Sequence, residues 1–569
     1  MKRNKFLLLV LSLLIVTGTF ILSACKKSFL DAQPYGNYTP DLITNKKGLE
    51  GLLIGAYGVL DGQGVAGDPW ETSAVNWATA GVAADDAYKG TDANDQPQMT
   101  EVEQYKSQPS NRYFYNKWLA VYEGVSRSNT VIRQADNPAI ILTESEKKNI
   151  VGQARFLRGH YHFEAKKMWN KVPFISETTT EYTNTADIWP NIEEDLKYAY
   201  DNLPENQGAA GRANKWAAAS YLAKAYMYQK KFTEAKALFD IITVSGMTSQ
   251  GKQYGLLDAY WQGYDAAFDN NKEQVFAISS AAAGNVDGSG ERSLGLAFPY
   301  GGNFGCCGFY QPSQNLVNAY KTDANGLPLF TTFNDVDLKN DQGLKDADPY
   351  TNDITTPLDP RLDWSVGRRG IPFWDWGPHP GYSWVRDQNY AGPFSPKKHI
   401  FSRKDETTLT SSGWKNITAK DLTLIRYSDV LLMAAEAEIE VGTLDKARTY
   451  INLVRARAKN PASWVQGAPA NYKIDIYNTA FASQDAARTA VRFERRLELA
   501  MEGIRWFDLV RWGIAAETLN TYLAKEKLKR TYKQTASFVQ GTHEYFPIPA
   551  SIIDLAAKYG SKLDQNPGY

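Results

Sequence analysis

Residues 211–243 read GRANKWAAASYLAKAYMYQKKFTEAKALFDIIT. Leu222, Ala223 and Tyr226 recur at helical spacing in the first half, and Ala235 and Phe239 do so in the second. Gln229-Lys230-Lys231 interrupts the apolar rhythm between them. Small residues let two helices approach closely while the large ones fill the remaining gaps. The stretch therefore predicts two helices packed as an antiparallel pair.

The order of these residues is that of the tetratricopeptide pattern. A second unit at 429–458 has Leu431, Ala434, Ala435, Ala447, Ile451 and Val454 in the same phase around a turn at Gly442, with Glu438 where an aromatic is usual. The two units are far apart along the chain, which predicts separated helical pairs in one scaffold rather than a continuous array. Further helices are expected at 46–60, 118–135, 144–169, 186–202 and 486–512. The last contains ERRLELAMEGIRWFDLVRWG from Glu494 to Gly513. Leu497, Ala500, Met501, Ile504 and Phe507 make one apolar stripe there, and Arg495/Glu498, Glu502/Arg505 and Asp508/Arg511 stand at i,i+3. The fold class is mainly α, with helix pairs, long irregular loops and a few short strands.

Around this helical framework, the 569 residues exceed one ordinary hydrophobic core. Residues 1–24 have a basic start, an apolar run from Phe6 to Leu22 and small residues before a cut, as in a secretory leader. Leu22-Ser23-Ala24-Cys25 resembles a bacterial lipobox, which makes Cys25 the expected lipidated first residue of the mature chain. Acyl chains there would hold residues 25–45 as a tether at a membrane surface. Removing Lys2, Arg3 and Lys5 with the leader takes the net charge from zero to about −3, which argues against a general nucleic-acid binder. Two cysteines remain, the neighbours Cys306 and Cys307, so no disulfide framework holds the fold. They read either as a strained ring or as two small thiols in a glycine-rich loop.

The loops differ in kind from the helices. PFWDWGPHPGYSW, from Pro372 to Trp384, packs five aromatic rings among three prolines and two glycines, a backbone chemistry that belongs to neither a helix nor a central strand. Long aromatic insertions are usually functional.

Behind the lipobox, CKKSFLDAQP (Cys25 to Pro34) is followed by QARFLRGHYHFEAKKMWNKVPFI (Gln153 to Ile175), IRYSDVLLMAAEAEIE (Ile425 to Glu440) and the ERR…RWFDLVRWG segment. YFPIPASIID (Tyr545 to Asp554) and the terminal QNPGY (Gln565 to Tyr569) complete the series. In order and spacing these phrases resemble the SusD/RagB family of outer-membrane nutrient-binding lipoproteins. Ile504 stands where relatives often carry histidine, and residues 556–562 lengthen the run before QNPGY. The resemblance implies a single SusD-like domain over 46–569, with an N-terminal part to about 270 and a RagB/SusD part from about 271. It further implies a surface-exposed protein of the outer membrane, without cofactor or catalytic activity, that caps a SusC-like TonB-dependent transporter.

Three segments are candidates for ligand contact. Trp374, Asp375, Trp376 and Trp384, with Trp364 and His379 nearby, offer flat faces for the C–H patches of sugars and polar partners for their hydroxyls. The same rings equally serve to pin the loop. Trp70, Trp77, Asp85, Asp86 and Tyr88, with Lys89, occupy the loops after the first helix, where relatives contribute ligand contacts; acidic residues there also cap turns. Tyr300, Phe309 and Tyr310, with Phe304, sit on a glycine-rich backbone that admits either close ligand approach or a tight turn. No metal set is evident: His160 and His162 face different ways on a helix, and Asp335, Asp337 and Asp341 lack calcium-loop spacing. The leading function is capture of oligo- or polysaccharide for a transporter. Peptide capture on the same scaffold and an all-helical glycoside hydrolase are the alternatives.

Overall fold

A computed structural model describes residues 44–281 and 290–569; the expected leader and the lipidation residue Cys25 lie outside the described residues. Side-chain caps start several of the helices by satisfying backbone N–H groups that have no partner within the helix. Asn45 opens α1 (Lys46–Tyr57) and Asn111 opens α2 (Arg112–Gln134). A reciprocal Thr143/Glu146 capping box opens α3 (Glu144–Trp169), the span read from sequence. Trp189–Asn202 forms α4, shorter at its start than expected.

The first helix pair is α5 (Lys215–Tyr228) and α6 (Phe232–Ser245), turned at Lys230 in the left-handed region. The second is α7 (Tyr427–Val441) and α8 (Leu444–Lys459). Between Leu49 and Ile548 one apolar core runs through all of them. α2 packs on α3, α3 on α4, α4 on α5 and α5 on α6, and α6 then packs directly on α7. The pairs that sequence separates are thus neighbours in space within one scaffold. Glu438 shows why an aromatic is dispensable at its position: it is buried between Lys236 on α6 and Lys446 on α8, at 3.2 and 2.9 Å. A single carboxylate ties three helices where a ring would fill space. Gly124 of α2 supports close packing of another kind, because a Cβ there would stand 2.3 Å from the ring of Tyr161 on α3.

The helix expected over 486–512 is two helices, α9 (Gln484–Glu498) and α10 (Arg505–Trp512). Met501 and Gly503 have positive φ between them, and a Cβ on Gly503 would lie 1.8 Å from the Val75 carbonyl oxygen. The break is driven by charge satisfaction at long range. Glu498 is enclosed by Arg361, Arg426 and Arg457, and Glu502 by Lys398 at 2.6 Å and Arg426 at 2.9 Å. Arg495 bridges to Asp429 and Asp508, both at 2.8 Å. Of the expected local pairs only Asp508–Arg511 forms as read, at 2.8 Å. A straight continuation past Glu498 would have carried Glu502 and Asp508 away from these partners, a cost of several kcal/mol for a buried charge left unpaired.

The strands are clips between loops. β1 (Ala87–Gly90) pairs antiparallel with β3 (Phe309–Pro312), and β2 (Gln274–Ile278) with β7 (Leu422–Arg426), which runs straight into α7. β4 (Pro357–Leu358) pairs with β8 (Asn471–Tyr472), and β5 (Val366–Gly367) with β6 (Ser395–Pro396). A separate minor core of Phe298, Phe304, Phe373, Trp376, Trp384, Ile400 and Phe401 holds the aromatic loops together.

Candidate functional site

The three candidate segments converge. β1 and β3 join the second to the third, and the minor core joins the third to the first, with Phe304 5.1 Å from Trp384 and 5.0 Å from Trp376. Tyr300 N–H donates to the Trp384 carbonyl at 3.0 Å.

Convergence does not place every named side chain at a surface, and the expectation of ligand-facing groups is corrected for many of them. Trp77 is fully buried, its indole N–H donating to the Ser293 carbonyl at 2.6 Å while its ring packs against Phe309 and Tyr310. Asp85 is clamped by Arg505 at 2.8 Å and Arg496 at 3.2 Å. Burial works against its charge, but the two guanidinium groups outweigh it and hold the carboxyl below its ordinary range. Asp86 takes Arg496 at 2.8 Å; burial, together with the Asp85 charge, leaves its pKa raised despite that arginine. Tyr88 donates to Glu526 at the end of α11 (Ala515–Glu526), at 2.7 Å. Phe309 and Tyr310 are buried in the main core, and Trp376 and Trp384 in the minor one. Trp376 N–H donates to the Phe401 carbonyl at 3.0 Å. The physical reason is common to all: rings and carboxylates placed between long loops are what those loops fold around.

Trp70, Tyr300 and Trp374 are half-buried and Asp375 is exposed. Around Tyr300 lies a rim that sequence reasoning missed. The Arg386 guanidinium stands 5.7 Å from the Tyr300 ring centroid and pairs with Asp92 at 2.8 Å and Asp95 at 2.7 Å. The loop carrying those acids is locked from below by Lys89, whose ammonium donates to the Asp92 and Asp95 carbonyls at 2.8 and 2.6 Å. Burial lowers the Lys89 pKa to about 8 against the pull of nearby carboxylates. Tyr382, 36% exposed, completes the rim with Lys345 over its ring. A rim guanidinium neutralised by two carboxylates, beside flat phenol rings, suits hydroxyl-rich, uncharged ligands. The available signal was the polar run TDANDQ just after β1, which breaks the helical spacing.

Trp374 stands apart from this rim. It meets Trp364 at 5.1 Å and Trp261 at 6.5 Å, and Trp261 stacks on Trp364 at 5.9 Å. Trp261 also escaped the sequence reading, although YWQGY (Tyr260 to Tyr264) is aromatic-dense. His379 is buried, hydrogen-bonded to Ser395 at 3.0 Å; burial, then the neighbouring Lys397, pushes its pKa down to about 3. Cys306 and Cys307 are bonded to each other. His160 and His162 have separate surroundings, the first among Tyr161, Tyr221 and Phe276 and the second against Phe174.

A helical scaffold of packed pairs that carries long aromatic loops defines the class of fold. Within it the chain belongs to the SusD family, whose profile matches residues 272–569. Residues 28–227 match a second profile, described as starch-binding associating with outer membrane. A SusD-like protein of Bacteroides ovatus is 24% identical over 541 residues, covering 88% of this chain and 82% of the relative. A SusD homolog from Bacteroides thetaiotaomicron superposes with a TM-score of 0.69 at 21% identity, over 94% of this chain and 99% of its own. Surface glycan-binding protein A from the same species, in complex with laminarihexaose, gives 0.65 at 20% identity, over 92% and 99%. These likenesses show the fold. The family is one of binding proteins rather than enzymes.

Proposed function

We propose that the chain is a surface lipoprotein, anchored through Cys25 at the outer membrane, that captures oligo- or polysaccharide and passes it to a SusC-like TonB-dependent transporter. The observation that carries the reading is membership of the SusD family, joined to a relative of the same fold that is seen holding laminarihexaose. The contact surface in this proposal is the rim of Tyr300, Tyr382, Arg386, Asp92 and Asp95. Tyrosine rings stack on the sugar faces, and the carboxylates and guanidinium take hydroxyls. Since Arg386 is already paired, an uncharged glycan fits better than a sulfated or uronic one.

Affinity electrophoresis in gels containing laminarin, starch, xylan, mannan or alginate tests this directly. Retardation by a neutral polysaccharide, little changed by added salt and lost in a Tyr300→Ala, Arg386→Ala variant, is the expected result. Retention by alginate alone, or unaltered retention in the double variant, would overturn the assigned surface. Co-purification of a large TonB-dependent partner from mildly solubilised outer membrane tests the transporter half of the proposal.

A further inference from the structure

Three tryptophans from three separate segments meet beside the minor core. Trp261 comes from the short turn Tyr260–Tyr264, Trp364 from the turn Leu362–Ser365 and Trp374 from the loop after Pro372. Their indole N–H groups all donate to backbone carbonyls, of Ala462 at 2.9 Å, Ser463 at 2.6 Å and Lys397 at 3.2 Å. The ring planes are therefore fixed without using any ligand. Trp261 lies nearly parallel to Trp364, at 29°, while Trp374 stands across both at 84° and 60°. Trp374 also adopts a φ of 49°, a conformation that residues other than glycine rarely take unless the surroundings impose it.

The half-buried rings border a group of carboxylates. Asp375, next to Trp374, is exposed and held by the backbone N–H groups of Arg403 and Lys404, the latter at 2.9 Å. Asp405 is close enough to both Asp265 and Asp375 for its charge to interact with theirs. Lys404 stands 3.7 Å from Asp265, and the Lys420 ammonium lies 5.8 Å from the Trp374 ring centroid. A carboxylate has about four lone-pair sites, so Asp375 retains acceptors after its two backbone bonds. Rigid aromatic faces beside fixed carboxylate acceptors have the chemistry that recognises a sugar ring, apolar on one face and hydroxylated at its edge. A protein partner docking on bare apolar surface would gain nothing from the acids.

We propose that Trp261, Trp374 and Asp375 form a second sugar-binding platform, supported from beneath by Trp364 and separate from the Tyr300 rim. The inference rests on the glycan-binding reading but not on the assignment of the rim. Two platforms on one chain raise the retention of a polymer beyond that of either alone, because the second contact is made at high effective concentration.

The test is isothermal titration of the full soluble chain with laminarihexaose, maltohexaose, xylohexaose and mannohexaose, repeated with the parent polysaccharides. The expected result is two equivalents of one hexasaccharide per chain, falling to one in Trp261→Ala, Trp374→Ala and to a different one in Tyr300→Ala, Arg386→Ala. Polysaccharide affinity falls about tenfold or more in either pair. Trp261→Phe, Trp374→Phe keeps ring packing if the alanine pair does not fold, and weakens the second equivalent severalfold. A single equivalent that the tryptophan variants leave untouched would overturn the platform. Loss of all binding in the tryptophan variants, with the Tyr300 pair unaffected, would uphold it and overturn the rim instead. Failure of all four sugars to bind would overturn both readings.

Discussion

The interior around Glu498 and the interior around Phe304 are closed by segments of similar sequence distance, yet they are held by opposite physics. Glu498 joins three arginines drawn from the loop before β5, from β7 and from α8. Phe304 joins the rings of Phe298, Phe373, Trp376, Trp384 and Phe401. Ion pairs in a dry interior depend on every partner, since removing one leaves the others charged and unpaired. Apolar rings share their burial among many contacts and can partly relax into a gap. The difference teaches where rigidity is needed: the charged interior fixes the break between α9 and α10, while the aromatic one carries the loops that form the candidate site.

Glu498→Ala separates the two regimes most sharply. It leaves one buried positive charge uncompensated among three guanidinium groups that keep Asp359, Glu494, Glu273 and Glu502, and denaturant unfolding should show a loss of about 3–5 kcal/mol. A loss below about 1 kcal/mol would mean that the network is hydrated. Phe304→Ala is expected to cost about 3 kcal/mol, at the lower end for a buried phenylalanine because the cluster is small. Amide exchange should then quicken mainly at 298–310 and 372–401, with α7 and α9 protected as before.

Acid should reach the two regions at different pH. Burial holds His379 neutral down to about 3, whereas an unfolded histidine takes its proton near 6.5. Its contribution to stability is present above about 6.5 and is lost as pH falls toward 3. Glu502, held at about 2 by Arg426 and Lys398 against the effect of burial, contributes above about 4.5 and loses that contribution toward 2. Thermal melts from pH 7 to 5 should therefore fall less steeply in His379→Gln than in the wild type, the difference in slope approaching about 1.4 kcal/mol per pH unit once pH is well below 6.5. An equal slope would show that His379 is protonated in the folded chain. The smallest effect belongs to Tyr382→Ala, an exposed rim residue outside both interiors. Its stability should change by about 0.5 kcal/mol or less while glycan retention falls.

The paired helices were legible because their cause is local. The cap at Thr143, the spacing of Leu222, Ala223 and Tyr226, and the turn at Lys230 act within a few residues of the helices they define. Helix α3 was read to its ends for that reason. The helix expected over 486–512 was misread because its apolar stripe is real but its charges answer to partners elsewhere. Arg505 faces Asp85 and Glu502 faces Arg426, and nothing within the segment distinguishes those pairs from i,i+3 neighbours.

The aromatic loops show the same limit from the other side. Composition placed Trp374, Trp376 and Trp384 on a loop, as the prolines and glycines around them require. Which ring turns inward depends on Phe304 and Phe401, which arrive from distant segments. By itself the sequence determined a mainly helical scaffold of tetratricopeptide-like pairs, with its chemistry in the loops, because helical periodicity and turn residues act over short range. Only the tertiary structure decided that α6 meets α7, that the C-terminal helix breaks after Glu498, and that Trp376 is core while Trp374 borders the surface. Those outcomes come from burial and charge pairing among residues that the chain brings together only when folded.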